Sequence, residues 1–543
     1  MRGAALSILL GVLLLAAPGV SDQPSAPGPK LVLVLAVDQL RPDRLDTELP
    51  GGLGRLLREG RFYPDAALEH AITETCPGYA TMLTGHHPST TGLVGNRFFD
   101  LEADDKVYCV NDPAEESAVL GVPKRGRSPR NLLVSGLGDW MKQTDPASRV
   151  FTVAGKDRAA VALGGQRPNA AYWFSENDYV GFTSSRYYLD ALPGWVERFN
   201  GEALNGGFFE ALPDEWEHRP EAALRSPRAD DFRGESDSLS RTSPHPLRDG
   251  DAETFAEQLF ASPFIDDVTL AFATELVREE GLGRGPAPDL LALGLSATDI
   301  VGHRYGPFSH ESADALLRLD ASLDGFLKFL EAELGEGSVL VALTADHGVL
   351  PLPEWLRETG ESQCALEDGR HGLGGLGFWL LWRMHWKLSP FRLPRGWLLF
   401  AGNQAAVKRG LLESRGVELD RAVGIARDYL ARQQSIEHVW TREEIERGEG
   451  EIAQLYRNSY HPQRSGDLMV QLAPTCLISF YDEGTTHGTP YPYDRRVPLL
   501  FWGEGVLPGA IPGPAATVDI APTLAGRLGV ATPPDLAGRV LFD

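Results

Sequence analysis

The sequence is poor in cysteine and in basic residues. It has four cysteines among 543 residues, and none of them stands in a CxxC spacing, which argues against a thiolate zinc site. Lysine and arginine number 51 against 75 aspartates and glutamates, so the net charge is −24. Because binding to a nucleic-acid backbone requires a basic surface, this balance excludes nucleic acid as an expected partner. An anionic small molecule would have to be attracted by local cations.

An apolar run that could serve as a leader occurs at the beginning. Arg2 precedes ALSILLGVLLLAAPGV, and small residues end the run before Ser21, so residues 1–21 are interpreted as a cleaved signal peptide. The run is short for a membrane anchor. Residues 22–30 would be a flexible lead-in, and the mature protein is expected in the periplasm or outside the cell.

The four cysteines would reach an oxidising compartment in such a protein. They allow three complete pairings, and the sequence does not choose among them. Cys76 could equally be a free buried thiol. The four positions are Cys76, Cys109, Cys364 and Cys476.

Three apolar segments each end in residues that commonly bind metals. VLVLAV leads to Asp38, LLALGLSATDIVGH contains Asp299 and His303, and VLVALTADHG contains Asp346 and His347. Apolar runs without polar alternation indicate strands buried on both faces of a parallel sheet. Ligands bind beyond the carboxyl ends of such strands. The sequence therefore predicts an α/β fold with a mostly parallel central sheet flanked by helices.

A single site that uses Asp38 and residues beyond 480 requires one discontinuous domain, residues 31–543. Insertions near 166–260 and 365–465 are expected to form a cap, and the polar, proline-rich stretch 213–250 is expected to be a loop. Helices are predicted in GGLGRLLREG, at 128–143 and at 309–334, and further strands at 61–69 and 148–155. The helix at 309–334 has an apolar face that should pack on the sheet, formed by Leu316, Leu319, Leu323, Phe326, Leu327 and Leu330.

Residues 373–400 contain four tryptophans among basic residues. Tryptophan with lysine and arginine suits a membrane interface, which is one interpretation. The favoured alternative is an apolar cap or hairpin over the catalytic domain, because Pro390 and Pro394 would interrupt a long amphipathic helix.

Six residues form a candidate metal-binding set without cysteine. Aspartate and histidine together suit zinc, although such sets also accept manganese or cobalt. Isolated histidines such as His310 are more often hydrogen-bonded loop residues. The six candidates are Asp38, Asp299, His303, Asp346, His347 and His487.

Thr75 is the candidate nucleophile. It lies just before Pro77 and a helical stretch, Tyr79 to Leu83, and therefore at a helix N-terminus. Free N–H groups there favour a phosphoryl group, and metal coordination can activate a hydroxyl. The alternative is that Thr75 merely caps the helix.

These motifs resemble those of the alkaline phosphatase superfamily, and within it the threonine-nucleophile, PafA-type bacterial alkaline phosphatases. The matching segments occur in family order over nearly the whole mature chain. They include VDQLRPD, TETCPGYATMLTGHHPSTTGLVGN, GKDRAAV, SATDIVGHRYGP, TADHG and GTTHGTPYPYDRRVPLLFWG.

The resemblance implies two zinc ions per chain. One would be bound by Asp299, His303 and His487, and the other by Asp38, Asp346 and His347 with Thr75. It also implies that Asn96, Lys156 and Arg158 contact the phosphoryl oxygens. Two positions depart from the family pattern: Tyr79 stands where histidine is frequent, and Gly155 where serine is common.

The implied activity is phosphate-monoester hydrolysis through a covalent phosphothreonine intermediate, as in an alkaline phosphatase. The alternative within the superfamily is a phosphodiesterase or nucleotide pyrophosphatase, which would gain less from Lys156 and Arg158. A scaffold that has lost turnover would lack a ligand or the nucleophile, and none is missing. The expected partners are small-molecule phosphate esters; membrane contact is not favoured, and the protein is expected to be a monomer.

Overall fold

The computed structural model describes residues 28–121, 126–175, 181–203, 211–248, 250, 252–372, 396–479 and 482–542. Its strands are β1 Leu31–Val37, β2 Arg61–Tyr63, β3 Arg97–Asp100, β4 Asp105–Tyr108, β5 Asn111–Asp112, β6 Gly126–Arg127, β7 Val150–Ala154, β8 Ala170–Ser175, β9 Gly181–Thr183, β10 Glu215–Trp216, β11 His245–Pro246, β12 Asp289–Leu295, β13 Val339–Thr344, β14 Arg370–Gly372, β15 Leu398–Ala401, β16 Gln404–Val407, β17 Ile436–Thr441, β18 Leu468–Leu472, β19 Leu477–Ser479, β20 Leu499–Trp502 and β21 Gly509–Ala510.

Nine of these strands form the central sheet, in the order β21-β2-β20-β13-β1-β12-β7-β8-β9. The inner strands β13, β1, β12, β7 and β8 run parallel to one another. Strand β20 is antiparallel to both of its neighbours, and β9 is antiparallel to β8. The predicted mostly parallel sheet is therefore confirmed, with antiparallel strands towards its edges.

The α-helices are α1 Gly52–Glu59, α2 Thr75–Thr84, α3 Pro88–Thr91, α4 Leu137–Thr144, α5 Asp157–Leu163, α6 Gly194–Arg198, α7 Pro220–Arg225, α8 Ala252–Phe260, α9 Phe264–Glu280, α10 Ala297–Tyr305, α11 His310–Leu334, α12 Pro353–Glu358, α13 Arg409–Glu413, α14 Leu419–Leu430, α15 Arg442–Arg447, α16 Glu451–Ser459, α17 Pro492–Arg495 and α18 Ile520–Leu528. Among the described residues, no helix has both the length and the apolar character that crossing a membrane requires.

Strand β1 shows why the sheet is covered on both faces. Leu31, Leu33 and Leu35 belong to one buried cluster, which α1, α9 and α11 complete. Val32 and Val34, which alternate with them, belong to a second cluster, which α2, α4, α5 and α18 complete. Because successive side chains of a strand point to opposite faces, an apolar run buries both faces at once. The result is a three-layered α/β/α core.

A smaller antiparallel sheet, β15-β16-β18-β17, stands apart from the central one. It packs with α14 around its own apolar cluster. Its strands span residues 398–472 and so extend past the expected insertion boundary at 465. The sheet reaches the main domain through Gln404, whose Nε2 donates to Val94 O at 2.9 Å.

Helix α11 agrees closely with the prediction, and all six of its expected apolar residues are buried. The predicted helix at 128–143 begins only at Leu137. Ser128 accepts a hydrogen bond from Arg130 N and donates one to Asp112 Oδ2, so the chain forms a short 3₁₀ turn there instead. Such side-chain bonds compete with helix formation.

Other expectations change in detail. The second strand ends at Tyr63, where Pro64 follows and cannot donate to a ladder, and the strand predicted at 148–155 spans Val150–Ala154. The stretch 213–250 is not entirely loop, because it contains β10, α7 and β11. Residues 1–27 and 373–395, which include the proposed signal peptide and most of the tryptophan-rich segment, lie outside the described residues.

All four cysteines are paired, as Cys76–Cys109 and Cys364–Cys476. The alternative of a free Cys76 thiol is therefore wrong. The first bond joins the start of α2 to the loop after β4. The second encloses a sequence separation of 112 residues that includes all four strands of the small sheet. Two disulfides are typical of proteins in oxidising compartments.

Removing the long-range disulfide should destabilise the protein. Cross-linking a loop of this length lowers the entropy of the unfolded chain and is worth about 4–5 kcal/mol in the chain-entropy description. We expect the C364S/C476S variant to unfold at a clearly lower urea concentration than the unsubstituted protein, measured by tryptophan fluorescence. An unchanged midpoint would mean that this bond does not limit stability.

Candidate active site

Three carboxylates lie at the carboxyl ends of neighbouring parallel strands. Asp38 directly follows β1, Asp346 stands two residues after β13, and Asp299 lies in the first turn of α10, just beyond β12. All three are buried. Lys156 Nζ lies 2.5 Å from Asp38 Oδ2 and 2.5 Å from Asp299 Oδ2. A single ammonium group thus joins carboxylates that were assigned to different metal ions.

The three predicted histidine ligands are oriented by backbone oxygens. In each ring Nδ1 lies 2.6–3.0 Å from a carbonyl: His303 from Thr485, His347 from Gly348 and His487 from Thr73. A proton on Nδ1 leaves a lone pair on Nε2, which is the state that a metal ligand requires.

The first predicted metal set is brought together. Asp299, His303 and His487 offer ligand atoms that all lie within 4.8 Å of one another. His303 Nε2 is 3.2 Å and His487 Nε2 is 3.7 Å from Asp299 Oδ1. The D-x-x-x-H spacing places Asp299 and His303 on adjacent turns of α10. His487 comes from the loop before α17.

The second set is also brought together. His347 Nε2 lies 3.6 Å from Asp38 Oδ1 and 3.3 Å from Asp346 Oδ2. All three of these buried atoms lack a hydrogen-bond partner. Asp299 also groups with Asp38 and His347 within 4.8 Å, so it lies between the two sets.

Burial controls the protonation of these groups. It lowers the pKa of His347 to about 3, and burial together with the neighbouring His347 holds the pKa of His487 well below its usual value. Burial, and then Asp38, raises the pKa of Asp346 well above its usual value. Burial opposes the charge of His303 too, but the neighbouring Asp299 carboxylate raises its pKa above the usual value. The two neutral imidazoles and the crowded carboxyl groups form a cluster of lone pairs that a cation would stabilise.

This donor set fits zinc. Three carboxylates and three imidazoles with free Nε2 atoms are ligands that Zn²⁺ accepts, and they form two groups of three protein ligands. Three protein ligands leave a coordination position for a reacting group. The residues that would bind metal ions here are the six candidates named from the sequence.

Thr75 is the first residue of α2, at a helix N-terminus as the sequence predicted. Its side chain is buried. The next backbone N–H, of Cys76, donates to Asn96 Oδ1 at 2.9 Å. At Gly78 a β-carbon would overlap the backbone oxygen of Asp346. Glycine therefore allows the N-terminal turn of α2 to approach the loop after β13 closely.

The predicted phosphoryl-binding residues flank this helix turn. Asn96 N donates to Glu74 Oε2 at 2.6 Å, and because its Oδ1 accepts from Cys76, the side-chain NH₂ group is the donor that remains. Arg158 lies two residues after Lys156, in the first turn of α5, and its Nε is buried without a hydrogen-bond partner.

Sequence reasoning missed Gln39. Its Nε2 donates to Asp299 Oδ1 at 2.7 Å and its backbone N donates to Asp346 Oδ1 at 3.1 Å. Its φ of 67° lies in the left-handed region, which is uncommon for a residue with a side chain. A β-carbon at Gly302 would overlap its Oε1. Only its position next to Asp38 could have indicated this role.

Asp494 was missed as well. Its Oδ2 accepts from Gly488 N, from Thr489 N and from Thr489 Oγ1, at 2.6–3.1 Å. Burial raises its pKa to about 7. These bonds fix the glycine-rich loop that carries His487. The sequence offered one signal, an acidic residue in the polar segment directly after that loop.

The two departures from the family pattern have different surroundings. The Tyr79 hydroxyl is buried and lies 3.5 Å from Ala36 O, so this ring fills space beneath the sheet end. At Gly155 a β-carbon would lie 2.8 Å from Ser296 Oγ. Ser296 therefore occupies the space into which a side chain at position 155 would point.

Comparisons with known proteins identify the family of this chain. The sequence model of the type I phosphodiesterase / nucleotide pyrophosphatase family matches residues 32–492. Alkaline phosphatase PhoK of Sphingomonas sp is 32% identical, over 95% of this chain and 91% of that protein. Alkaline phosphatase PafA of Elizabethkingia meningoseptica is 30% identical, over 98% of both chains. The crystal structure of wild-type PafA matches with a TM-score of 0.86 at 29% identity, over 95% of this chain and 99% of that one. The chain therefore belongs to the type I phosphodiesterase / nucleotide pyrophosphatase family and, within the alkaline phosphatase superfamily, is a relative of the PafA-type alkaline phosphatases.

Proposed function

We propose that this protein is a phosphate-monoester hydrolase, an alkaline phosphatase that uses two zinc ions per chain and a covalent phosphothreonine intermediate. One observation carries the proposal. Three histidines, each oriented through Nδ1 by a backbone carbonyl, direct Nε2 towards three buried carboxylates beside the helix that begins at Thr75. The alkaline phosphatases among its relatives support the same reaction.

The chemistry of the chain's own residues suits phosphoryl transfer. Thr75 Oγ would form a bond to phosphorus while the ester P–O bond breaks and the alcohol leaves with a proton. Water would then attack the phosphothreonine, releasing inorganic phosphate and restoring the hydroxyl. Zinc, when bound, supplies Lewis acidity for the attacking and leaving oxygens. The Asn96 side-chain NH₂ group, held at the start of α2, would position the phosphoryl oxygens.

Cations near the site favour a monoester over a diester. A phosphate monoester dianion carries one more negative charge than a diester. Lys156 is buried, and although burial opposes its charge, Asp299 and Asp38 raise its pKa, so the ammonium stays charged. The Arg158 guanidinium offers a planar pair of donors for two oxygens. A diesterase would gain less from either group.

The substrates would be small-molecule phosphate esters, hydrolysed by a monomer that needs no nucleic acid and no membrane contact. The two disulfides support export, to the periplasm or the extracellular space. Diester hydrolysis is the second candidate, because the matching family is described by phosphodiesterases.

The direct test compares p-nitrophenyl phosphate with bis-p-nitrophenyl phosphate on the zinc-loaded protein. We expect a higher kcat/KM for the monoester, loss of activity with a chelator, and recovery when zinc is restored. A preference for the diester would contradict the monoesterase assignment. It would leave the assignment of the metal ligands and of Thr75 as the nucleophile unchanged. Activity that survives complete metal removal would contradict the metal assignment.

Thr75→Ala should remove turnover and leave the metal content unchanged. Loss of a covalent nucleophile costs on the order of 10³-fold or more in kcat. Metal analysis by mass spectrometry and steady-state kinetics would be measured on the same sample. Thr75→Ser is the matched control, since it retains a hydroxyl and should retain activity. Near-normal rates in the alanine variant would exclude Thr75 as the nucleophile.

Arg158→Ala should reduce monoester hydrolysis more than diester hydrolysis. A charge-assisted hydrogen bond is worth about 1.5–3 kcal/mol, which corresponds to roughly 10–100-fold in kcat/KM. Lys156→Ala should act in the same direction. The metal content of this variant must be measured as well, because Lys156 contacts Asp38 and Asp299, two of the candidate metal ligands. Lys142→Ala, on the surface, is the control. Equal losses on both substrates would refute the charge argument.

Gly78→Ala should impair catalysis, because its β-carbon would displace either α2 or the Asp346 backbone. A shift of about 1 Å in a catalytic site can cost roughly 10²-fold in rate. Gly325→Ala is the matched control, since a β-carbon on that residue of α11 meets no atom within 4 Å. Steady-state kinetics of both variants checks the expectation, and equal activity would show that the site tolerates the added methyl group.

A further inference from the structure

A second cluster of metal-type ligands lies outside the active site. His218 precedes α7, His245 begins β11, and Glu311 is the second residue of α11. Three separate segments of the chain, two of them in the stretch 213–250, thus meet at one point. One ligand atom from each residue lies within 4.8 Å of the others. Sequence reasoning did not single out any of the three.

The distances within this cluster fit tetrahedral coordination. His218 Nε2 is 3.1 Å from His245 Nε2, and Glu311 Oε1 is 3.5 Å from His245 Nε2 and 3.8 Å from His218 Nε2. Ligand atoms about 2.0–2.2 Å from a tetrahedral zinc ion are separated by about 3.3–3.5 Å. A small adjustment of these side chains would therefore give three zinc–ligand bonds.

The outer nitrogens of both imidazoles face acceptors. His245 Nδ1 lies 3.1 Å from Leu239 O, and His218 Nδ1 lies 3.4 Å from Asp230 Oδ1. A proton on each Nδ1 leaves both Nε2 atoms as lone pairs that face one another. Carbonyl and carboxylate groups orient metal-binding histidines in this way. In these tautomers the inner side of the cluster holds three acceptors and no donor, an arrangement that a bound cation would stabilise.

Glu311 provides an independent observation. Its carboxylate is fully buried, and neither oxygen has a hydrogen-bond partner. The charge of Arg228 acts on Glu311 electrostatically, but its guanidinium pairs directly with Glu235, at 2.6 Å. A buried, unpartnered carboxylate costs several kcal/mol unless an opposite charge compensates it. Trp216 and Tyr305 place aromatic rings 4.7 and 5.3 Å from the His245 ring, so the site is also shielded from water.

We propose that His218, His245 and Glu311 bind a third divalent transition-metal ion, best matched by zinc, in addition to those of the active site. Two imidazoles and one carboxylate are a ligand set that zinc accepts. The ion fastens the 213–250 insertion to the start of α11. Tyr305 OH lies 3.3 Å from His245 Nδ1, and Tyr305 is the last residue of α10, the helix that carries Asp299 and His303. The site therefore has a structural role next to the set formed by Asp299, His303 and His487.

A neighbouring group is the weaker candidate. His218 Nδ1, Asp230 Oδ1 and His310 Nδ1 also lie within 4.8 Å of one another. Asp230 is one-third exposed, and His310 Nε2 lies 3.0 Å from Arg228 O. In the proposed site Asp230 is a positioning residue: its Oδ1 lies 3.4 Å from His218 Nδ1 and it does not bind the ion.

The test is the difference in metal content between two folded proteins. After zinc loading and desalting, we expect Glu311→Gln to contain one zinc fewer per chain than the unsubstituted protein, measured by mass spectrometry. Glutamine keeps the size of the side chain and can hydrogen-bond to either imidazole, so the fold should be retained. His438→Gln, on the surface, is the control and should leave the content unchanged. Equal content in Glu311→Gln and the unsubstituted protein would overturn the proposal.

Asp230→Asn separates the two candidate groups. We expect it to weaken zinc retention against a chelator without abolishing it, whereas complete loss of one zinc in Asp230→Asn with full retention in Glu311→Gln would overturn the assignment of ligands. A measurement without variants uses anomalous scattering from zinc in crystals of the unsubstituted protein. We expect a peak between His218 Nε2 and His245 Nε2. Its absence, when the active-site peaks are present, would overturn the proposal. Neither readout depends on catalysis.

Discussion

The repulsion among three buried carboxylates is the constraint on which the rest of the site depends. Asp38, Asp299 and Asp346 are brought together because adjacent parallel strands end at the same edge of the sheet. Charges so close in a buried environment persist only if cations or hydrogen-bond donors compensate them. Lys156 supplies one charge to two of the carboxylates, and Gln39 supplies donors to two. The remaining lone pairs of the carboxylates and imidazoles could bind metal ions. The same arrangement that needs positive charge for its stability therefore also provides ligands for catalytic metal ions.

Backbone contacts hold this arrangement in place. Carbonyl groups from three different loops fix the histidine tautomers, and they do so without any side chain that a sequence motif would show. Close approach of main chains is equally important: the glycine at position 78 allows α2 to touch the loop after β13, and the one at 302 leaves room for the Gln39 side chain. Rigid elements therefore set the positions of reacting groups before a substrate binds, which is the basis of electrostatic preorganisation.

Helix α10 connects the candidate active site with the cluster around His245. Its first turns carry Asp299 and His303, and its last residue, Tyr305, contacts the cluster around His245. The insertion that contains His245 is thus in contact with the helix that carries the candidate metal ligands Asp299 and His303. The small antiparallel sheet contacts the loop that carries His487. There, Asn403 Nδ2 donates to Gly488 O at 2.8 Å. Both insertions therefore bear on the geometry of the catalytic edge.

The sequence by itself determined the buried strands, the long helix α11 and the metal-type residues that follow strand ends, because apolar periodicity and residue type are local properties. It did not predict that the helix begins only at Leu137, because the hydrogen bonds of Ser128 hold the preceding segment in a short turn. It also did not predict the role of Gln39, whose donors reach residues about 260 and 307 positions away. The cysteine pairing and the meeting of His218, His245 and Glu311 were likewise decided only by the tertiary structure. Such contacts join segments far apart in the chain, and no local pattern encodes the distance between them in space.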